Sequence, residues 1–130
     1  MTVVYLDASA AAKLVLREQH STALRAWLAG RPIRVSSRVI RTELLRAVRR
    51  AEPLRLDRAR RVLSRLTLLE LDEAILDSAV LLDPVELRSL DAIHIETARR
   101  LGAELEALVT YDRRMIDGAT RLGLPVASPA

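Results

Sequence analysis

Four acidic side chains have the type and placement to do chemistry in this chain. They are Asp7 in Val3-Val4-Tyr5-Leu6-Asp7-Ala8-Ser9, Glu43 in Arg41-Thr42-Glu43-Leu44-Leu45, Asp91 in Leu90-Asp91-Ala92-Ile93-His94 and Asp112 in Leu108-Val109-Thr110-Tyr111-Asp112. Each lies where an apolar segment starts or stops. Carboxylates rarely turn toward the inner side of an element unless positive charge meets them there. Two of them about 4 Å apart would repel by roughly 4 kcal/mol at an effective dielectric near 20. A divalent cation is the simplest agent that reverses that sign, and the chemistry expected of such a cluster is metal-dependent nuclease chemistry.

Each acid also has a local explanation when taken alone. Asp7 and Asp112 can cap the helices that follow them through a backbone N–H, and Ser9 could share the first of those tasks. Glu43 falls on the shoulder of a helical stripe made by Ile40, Leu44, Ala47, Val48 and Ala51, where an i,i+3 pair with Arg46 would contribute a few tenths of a kcal/mol. Asp91 suits the first turn of its helix, because negative charge there complements the helix dipole. Dipole compensation does not require an inward face, however, and Asp91 lies on the apolar side of the wheel. Thr110 stands near Asp112 and can hydrogen-bond a neighbouring carboxylate and fix its orientation. His94 lies in the middle of an apolar stripe and is expected as a packed, hydrogen-bonded core residue. His20 reads as a surface residue at a helix start, and Trp27 with Leu24 and Leu28 reads as core. With no third histidine, a two-histidine nuclease forming a cyclic phosphate is improbable.

The elements that must position these residues follow from periodicity and breakers. Strands are expected at Val3 to Leu6, Arg34 to Ser36, Thr67 to Leu71, Ala107 to Tyr111 and Pro125 to Ala127. Helices are expected from Ala8 to Leu16, His20 to Ala29, Ser36 or Ser37 to Ala51, Leu56 to Leu66, Asp72 or Glu73 to Leu82, Leu90 to Leu101 with Ser89 as cap, and Arg113 to Leu122. Strands alternating with helices imply an α/β chain with a parallel sheet covered on both faces. Ligands of such sheets bind beyond the carboxyl ends of the strands, which puts Asp7 and Asp112 at one rim. Glu43 and Asp91 reach that rim only if their helices pack with those ends toward it.

The length of 130 residues predicts one domain, and 50% hydrophobic residues suffice for a core. The absence of cysteine excludes disulfides and a thiolate zinc site. The first strand runs straight into Asp7, so no signal-peptide core is read, and no apolar run approaches the ~20 residues of a membrane span. A cytoplasmic protein is the expectation. Of 21 basic residues only Lys13 is lysine, and the net charge is +4. Ten arginines fall between Arg38 and Arg65, among them Arg38, Arg41, Arg46, Arg49 and Arg50. They are either solvated helix faces or a surface that grips phosphates. With Tyr5, Trp27 and Tyr111 the only aromatics, no stacking platform for splayed bases is evident.

The ordered set Tyr5-Leu6-Asp7-Ala8-Ser9, Ser36-Ser37 with Thr42-Glu43-Leu44-Leu45-Arg46-Ala47, Leu87-Arg88-Ser89-Leu90-Asp91-Ala92-Ile93-His94 and Val109-Thr110-Tyr111-Asp112 resembles the PIN-domain ribonucleases, most closely the VapC toxins of bacterial toxin–antitoxin pairs. The resemblance spans nearly the whole chain. It implies a three-layer α/β/α sandwich with a central parallel sheet. It also implies Mg²⁺ or Mn²⁺ held by Asp7, Glu43, Asp91 and Asp112 with Ser9 and Thr110 in support, and a metal-activated water attacking RNA. It further implies a homodimer, a cognate antitoxin whose C-terminal segment covers the acidic cleft, and tRNA or ribosomal RNA as substrate. Two rival readings are a receiver domain, which would need adjacent acids after the first strand and a lysine late in the chain, and a non-catalytic PIN domain that binds RNA or a partner.

Overall fold

A computed structural model describes residues 1–130. Five strands, β1 (Val3–Leu6), β2 (Arg34–Ser37), β3 (Thr67–Leu69), β4 (Leu105–Val109) and β5 (Val126–Ala127), form one parallel sheet in the order β3-β2-β1-β4-β5. The helices are α1 (Ala8–Val15), α2 (Ser21–Leu28), α3 (Ile40–Ala51), α4 (Leu56–Ser64), α5 (Glu73–Val80), α6 (Ser89–Arg99) and α7 (Arg113–Arg121). No helix is long and apolar enough to cross a membrane.

β1 is buried along its whole length because it is the central strand, covered on both faces. Its period of two divides the core. Val3 and Tyr5 point to the side of α5, α6 and α7, where they meet Ile95, Leu108 and Met115. Val4 and Leu6 point the other way, to Ala10, Leu24, Leu28 and Val109. α3 and α4 pack outside α1 through Leu44, Val48, Ala59 and Leu63. The three layers are therefore α/β/α. Strand order reverses between β1 and β4, so the crevice expected of an open parallel sheet opens where those two strands end.

Three expected boundaries move, each for a physical reason. Ser36 and Ser37 do not cap α3. They end β2, fully buried, with the Ser36 hydroxyl donating to the Leu6 carbonyl at 2.6 Å and the Ser37 amide donating to the Tyr5 hydroxyl at 3.0 Å. α3 starts two residues later, after Val39, without a side-chain cap. Ser89 is the first residue of α6 rather than its cap; the extended Arg88 precedes it. β4 spans Leu105–Val109 instead of Ala107 to Tyr111, and Glu106 is accommodated within it by its pair with Arg31 at 2.6 Å. Thr110 thereby falls beyond the strand, free to turn its hydroxyl toward β1.

α7 is held against α6 by a close approach at Gly118. A Cβ there would lie 3.0 Å from Leu87 Cδ1 and 3.1 Å from Ile95 Cδ1. Those are the ends of flexible side chains, so one methyl can be accommodated and a branched side chain cannot. Urea unfolding should find Gly118→Ala within about 1 kcal/mol of the parent, the gain in helix propensity offsetting the crowding. Gly118→Val should cost about 1–3 kcal/mol.

Candidate active site

Asp7 leaves β1 buried, and its carboxylate accepts three hydrogen bonds. Oδ1 takes the Ala10 amide at 2.9 Å, which makes Asp7 the N-cap of α1, and the Ser9 hydroxyl at 2.7 Å. Oδ2 takes the Thr110 hydroxyl at 2.5 Å. Both hydroxyls give their only proton to Asp7 and accept a backbone N–H from the segment after β4: Tyr111 N–H to Ser9 at 3.0 Å, Asp112 N–H to Thr110 at 3.1 Å. The ends of the two central strands are thus tied together through one carboxylate. Burial raises the Asp7 pKa, and the hydrogen bonds from Thr110, Ala10 and Ser9 oppose that rise.

Asp112 caps α7, its Oδ1 accepting the Arg114 amide at 2.8 Å. Capping and proximity to the crevice are compatible here, since the second oxygen remains free. Glu43 does not pair with Arg46. Its Oε1 lies 2.5 Å from Nε2 of His94, whose side chain is 1% exposed against 19% for Glu43. The Nδ1 of the same ring lies 2.7 Å from the Tyr5 hydroxyl. That hydroxyl already accepts the Ser37 amide, and burial drives its pKa well above the phenolic range, so it holds its proton and donates it to Nδ1. The ring proton then resides on Nε2 and is donated to Glu43, a tautomer assigned from the network. Ser37, Tyr5, His94 and Glu43 form one directed chain of hydrogen bonds.

Asp91 is the exception. Its Oδ2 is buried without any hydrogen-bond partner. Burial first, then the charges of Asp112 and Asp7, raise its pKa, and Glu43 adds to the rise. The crevice therefore brings Asp91 within electrostatic reach of the other three acids. No three His, Asp or Glu side chains are yet arranged around a single point as a finished cage. The donor set is nevertheless that of a hard cation, oxygens only, with one oxygen left open. An oxygen-only donor set of this kind suits a hard divalent cation, and the orphaned Asp91 oxygen is the position such an ion would satisfy.

Two members of this constellation carry no acidic signature. Tyr5 precedes Asp7 by two residues and shares the sheet face that meets α6; His94 follows Asp91 by one helical turn. Strand alternation and helical spacing together would have brought them to one another, yet each read as core by itself. The five arginines named for RNA lie outside the crevice. Arg38 pairs with Glu70 at 3.1 Å, Arg41 is exposed, and Arg46, Arg49 and Arg50 line a shallow depression on α3.

A charge held without a partner should destabilise the metal-free chain. Asp91→Asn is expected to raise the thermal midpoint in EDTA by about 2–6 °C, corresponding to roughly 1 kcal/mol. Thr110→Val, which removes two hydrogen bonds from the strand-end tie, should lower it and cost about 1–3 kcal/mol. The raised carboxyl pKa values give the pH sign. The folded chain keeps protons that the unfolded chain releases near pH 4, so the contribution of Asp7 and Asp91 to stability declines as pH climbs above that value. In Asp91→Asn this decline should be shallower, which a series of calorimetric scans in metal-free buffers would measure.

Comparison with known proteins identifies the family of this fold. The family model described as PIN domain matches residues 4–120. The chain is 48% identical over 130 residues to Ribonuclease VapC46 of Mycobacterium tuberculosis, covering all of both chains. It is 42% identical over 131 residues to Ribonuclease VapC35 of the same species, covering 98% of this chain and 97% of that one. Among solved structures, M. tuberculosis VapC20, a Sarcin-Ricin loop cleaving toxin, superposes with a TM-score of 0.77 at 17% identity, covering 97% of this chain and 99% of the other. A chain of a toxin–antitoxin complex from Klebsiella pneumoniae gives 0.72 at 20% identity, with 98% of each covered. Full-length identity to curated VapC ribonucleases, together with the matched domain, assigns this chain to the PIN-domain family and, within it, to the VapC ribonucleases.

Proposed function

We propose that this chain is a divalent-cation-dependent endoribonuclease, the toxin of a toxin–antitoxin pair, which hydrolyses phosphodiester bonds in a structured RNA. The observation that carries the reading is the partnerless Oδ2 of Asp91 beside Asp7, Asp112 and Glu43. Bound Mg²⁺ or Mn²⁺ would offset the charge of the scissile phosphate and make water a better nucleophile. Asp7, Glu43, Asp91 and Asp112 would hold it. Ser9 and Thr110 keep the Asp7 carboxylate in one orientation, and His94 does the same for Glu43 while leaving its Oε2 available. The rim as a whole repels a phosphate until its charge is neutralised, so cation and substrate binding are coupled in this reading.

The substrate surface is assigned to α3. Arg41, Arg46, Arg49 and Arg50 are exposed, have no acidic partner and run along the helix that carries Glu43, with Arg38 just before its start. With one tryptophan and two tyrosines, Tyr5 buried, recognition would rest on backbone charge and RNA shape. Which folded RNA is cut, tRNA or ribosomal RNA, is a matter for the substrate screen. An antitoxin segment covering the acidic crevice and a homodimer complete the proposal. Exposed Val80, Leu81 and Val85 support the latter as an uncovered apolar surface.

Purified protein incubated with total cellular RNA should cut it in Mg²⁺ or Mn²⁺ and stop in EDTA. Asp7→Asn and Asp91→Asn should each lower the rate at least ~100-fold, or about 2.7 kcal/mol of transition-state stabilisation. Cleavage that persists in EDTA and in both variants would remove the catalytic assignment and leave an RNA- or partner-binding PIN domain.

A further inference from the structure

A second concentration of charge lies at the opposite end of the strands. A cavity of about 330 Å³ opens between α1–α2, α4 and the start of β2, and five of its nine lining residues are arginines: Arg25, Arg34, Arg58, Arg61 and Arg65. Arg34 opens β2 and Arg65 lies just before β3, whereas the carboxylates stand beyond the other ends of the strands. The separation is about one strand length, roughly 13 Å for four residues.

No carboxylate lines this cavity, and none of the five guanidiniums takes part in an ion pair. Instead they are held by carbonyls. Arg25 and Arg58 both donate to the Leu14 carbonyl oxygen, each at 3.3 Å, so two like charges converge on one neutral acceptor. Arg34 donates to the carbonyls of Leu28 at 2.7 Å and Arg31 at 2.9 Å. Arg61 and Arg65 line the cavity, are exposed and make no side-chain hydrogen bond at all. Partial desolvation, then crowding by Arg25, Arg55, Arg61 and Arg17, lowers the Arg58 pKa. Like charges gathered at this density without counter-charge are poised for an anion, and planar guanidinium forks match phosphate oxygens in pairs.

The apolar lining discriminates between polyanions. Leu28 and Leu66 are buried in core clusters, and Leu14 and Val62 pack against those same clusters. They offer little open surface to anchor the side chains of an acidic peptide. The fully open apolar residues, Leu54, Val80, Leu81 and Val85, do not line this cavity. A nucleic-acid backbone needs only the cations.

We propose that this cavity is a phosphate-binding exosite that grips the RNA backbone away from the scissile bond. The proposal rests on the ribonuclease reading above and extends it. A substrate held at both ends of the strands must carry several phosphates in a fixed relative arrangement, as a folded RNA does. A dinucleotide, with a single phosphate, cannot fill both sites.

The test uses the full chain with Arg61→Gln and Arg65→Gln combined, chosen because neither guanidinium has an internal hydrogen bond to lose. Steady-state cleavage of a folded RNA and of a dinucleotide is compared, with Arg25→Gln as a second variant and thermal midpoints as a control for folding. KM for the folded RNA should rise about tenfold or more with kcat little changed, while dinucleotide cleavage stays at the parent level. The slope of log affinity against log salt should become shallower by about 1–2, near 0.7–0.9 for each phosphate no longer neutralised. An unchanged KM and salt slope in both variants would overturn the proposal, as would an equal loss on both substrates. It would also be overturned if the variants kept RNA affinity but lost binding of hexaglutamate, which would make the cavity a peptide site. Should the parent chain cleave neither substrate, the ribonuclease reading fails separately. Filter binding of a 2′-O-methyl folded RNA then still decides the exosite, weaker binding by the variants supporting it and equal binding refuting it.

Discussion

The arrangement depends on burying a carboxylate at the point where strand order reverses. Asp7 sits at the end of the central strand, where desolvation opposes its charge. Three short hydrogen bonds offset that cost, and two of them come from hydroxyls that are themselves fixed by amides of the segment after β4. The consequence is mechanical as well as electrostatic. β1 and β4 are joined beyond the last ladder hydrogen bond, and Asp112 follows Thr110 at a distance set by this tie. One acid at the rim therefore locates another from a distant part of the chain.

Glu43 and Asp91 are placed by a different principle. Both arrive on helices, α3 and α6, from opposite faces of the sheet, and the link between them is a ring rather than a backbone. His94 reaches Glu43 with one nitrogen and Tyr5 with the other, and Tyr5 is clamped by the Ser37 amide at the end of β2. A charged side chain on an outer helix is thereby referenced to the two inner strands. Asp91, one turn ahead of His94 on α6, receives no such partner. A fully satisfied polar network beside one unsatisfied oxygen is the pattern expected where the protein leaves a ligand position open, because buried polar groups are otherwise paired.

Much of this was legible in the sequence. Period-two apolar runs and strong breakers sufficed for the alternation of strands and helices, and the rule for parallel sheets sufficed to put Asp7 and Asp112 at one rim. What periodicity does not carry is partner choice. Glu43 reads as a helix-surface acid beside Arg46, and only the reach of His94 from the helix on the other face of the sheet gives it a different partner. Ser36 and Ser37 read as caps because hydroxyls compete for helix starts; at the end of a buried strand the Ser36 hydroxyl bonds across to Leu6 and the Ser37 amide to Tyr5. Glu106 hid the start of β4 because its compensating charge, Arg31, is 75 residues away.

The distribution of charge follows the same logic on a larger scale. The chain is basic overall, yet four of its 17 acids meet at the rim and no arginine is used to neutralise them. The only side chain within hydrogen-bond reach of the four that carries basic nitrogen is His94, whose Nε2 faces Glu43. Had an arginine been placed in the crevice, the Asp91 oxygen would be satisfied internally and the cation would have to displace it. Keeping guanidiniums out leaves the rim acidic while the outer surfaces of α3 and α4 are basic, so the two signs of charge are segregated on the molecule. In the proposed reading a polyanion drawn to those outer surfaces would be repelled by the bare rim until a cation occupied it.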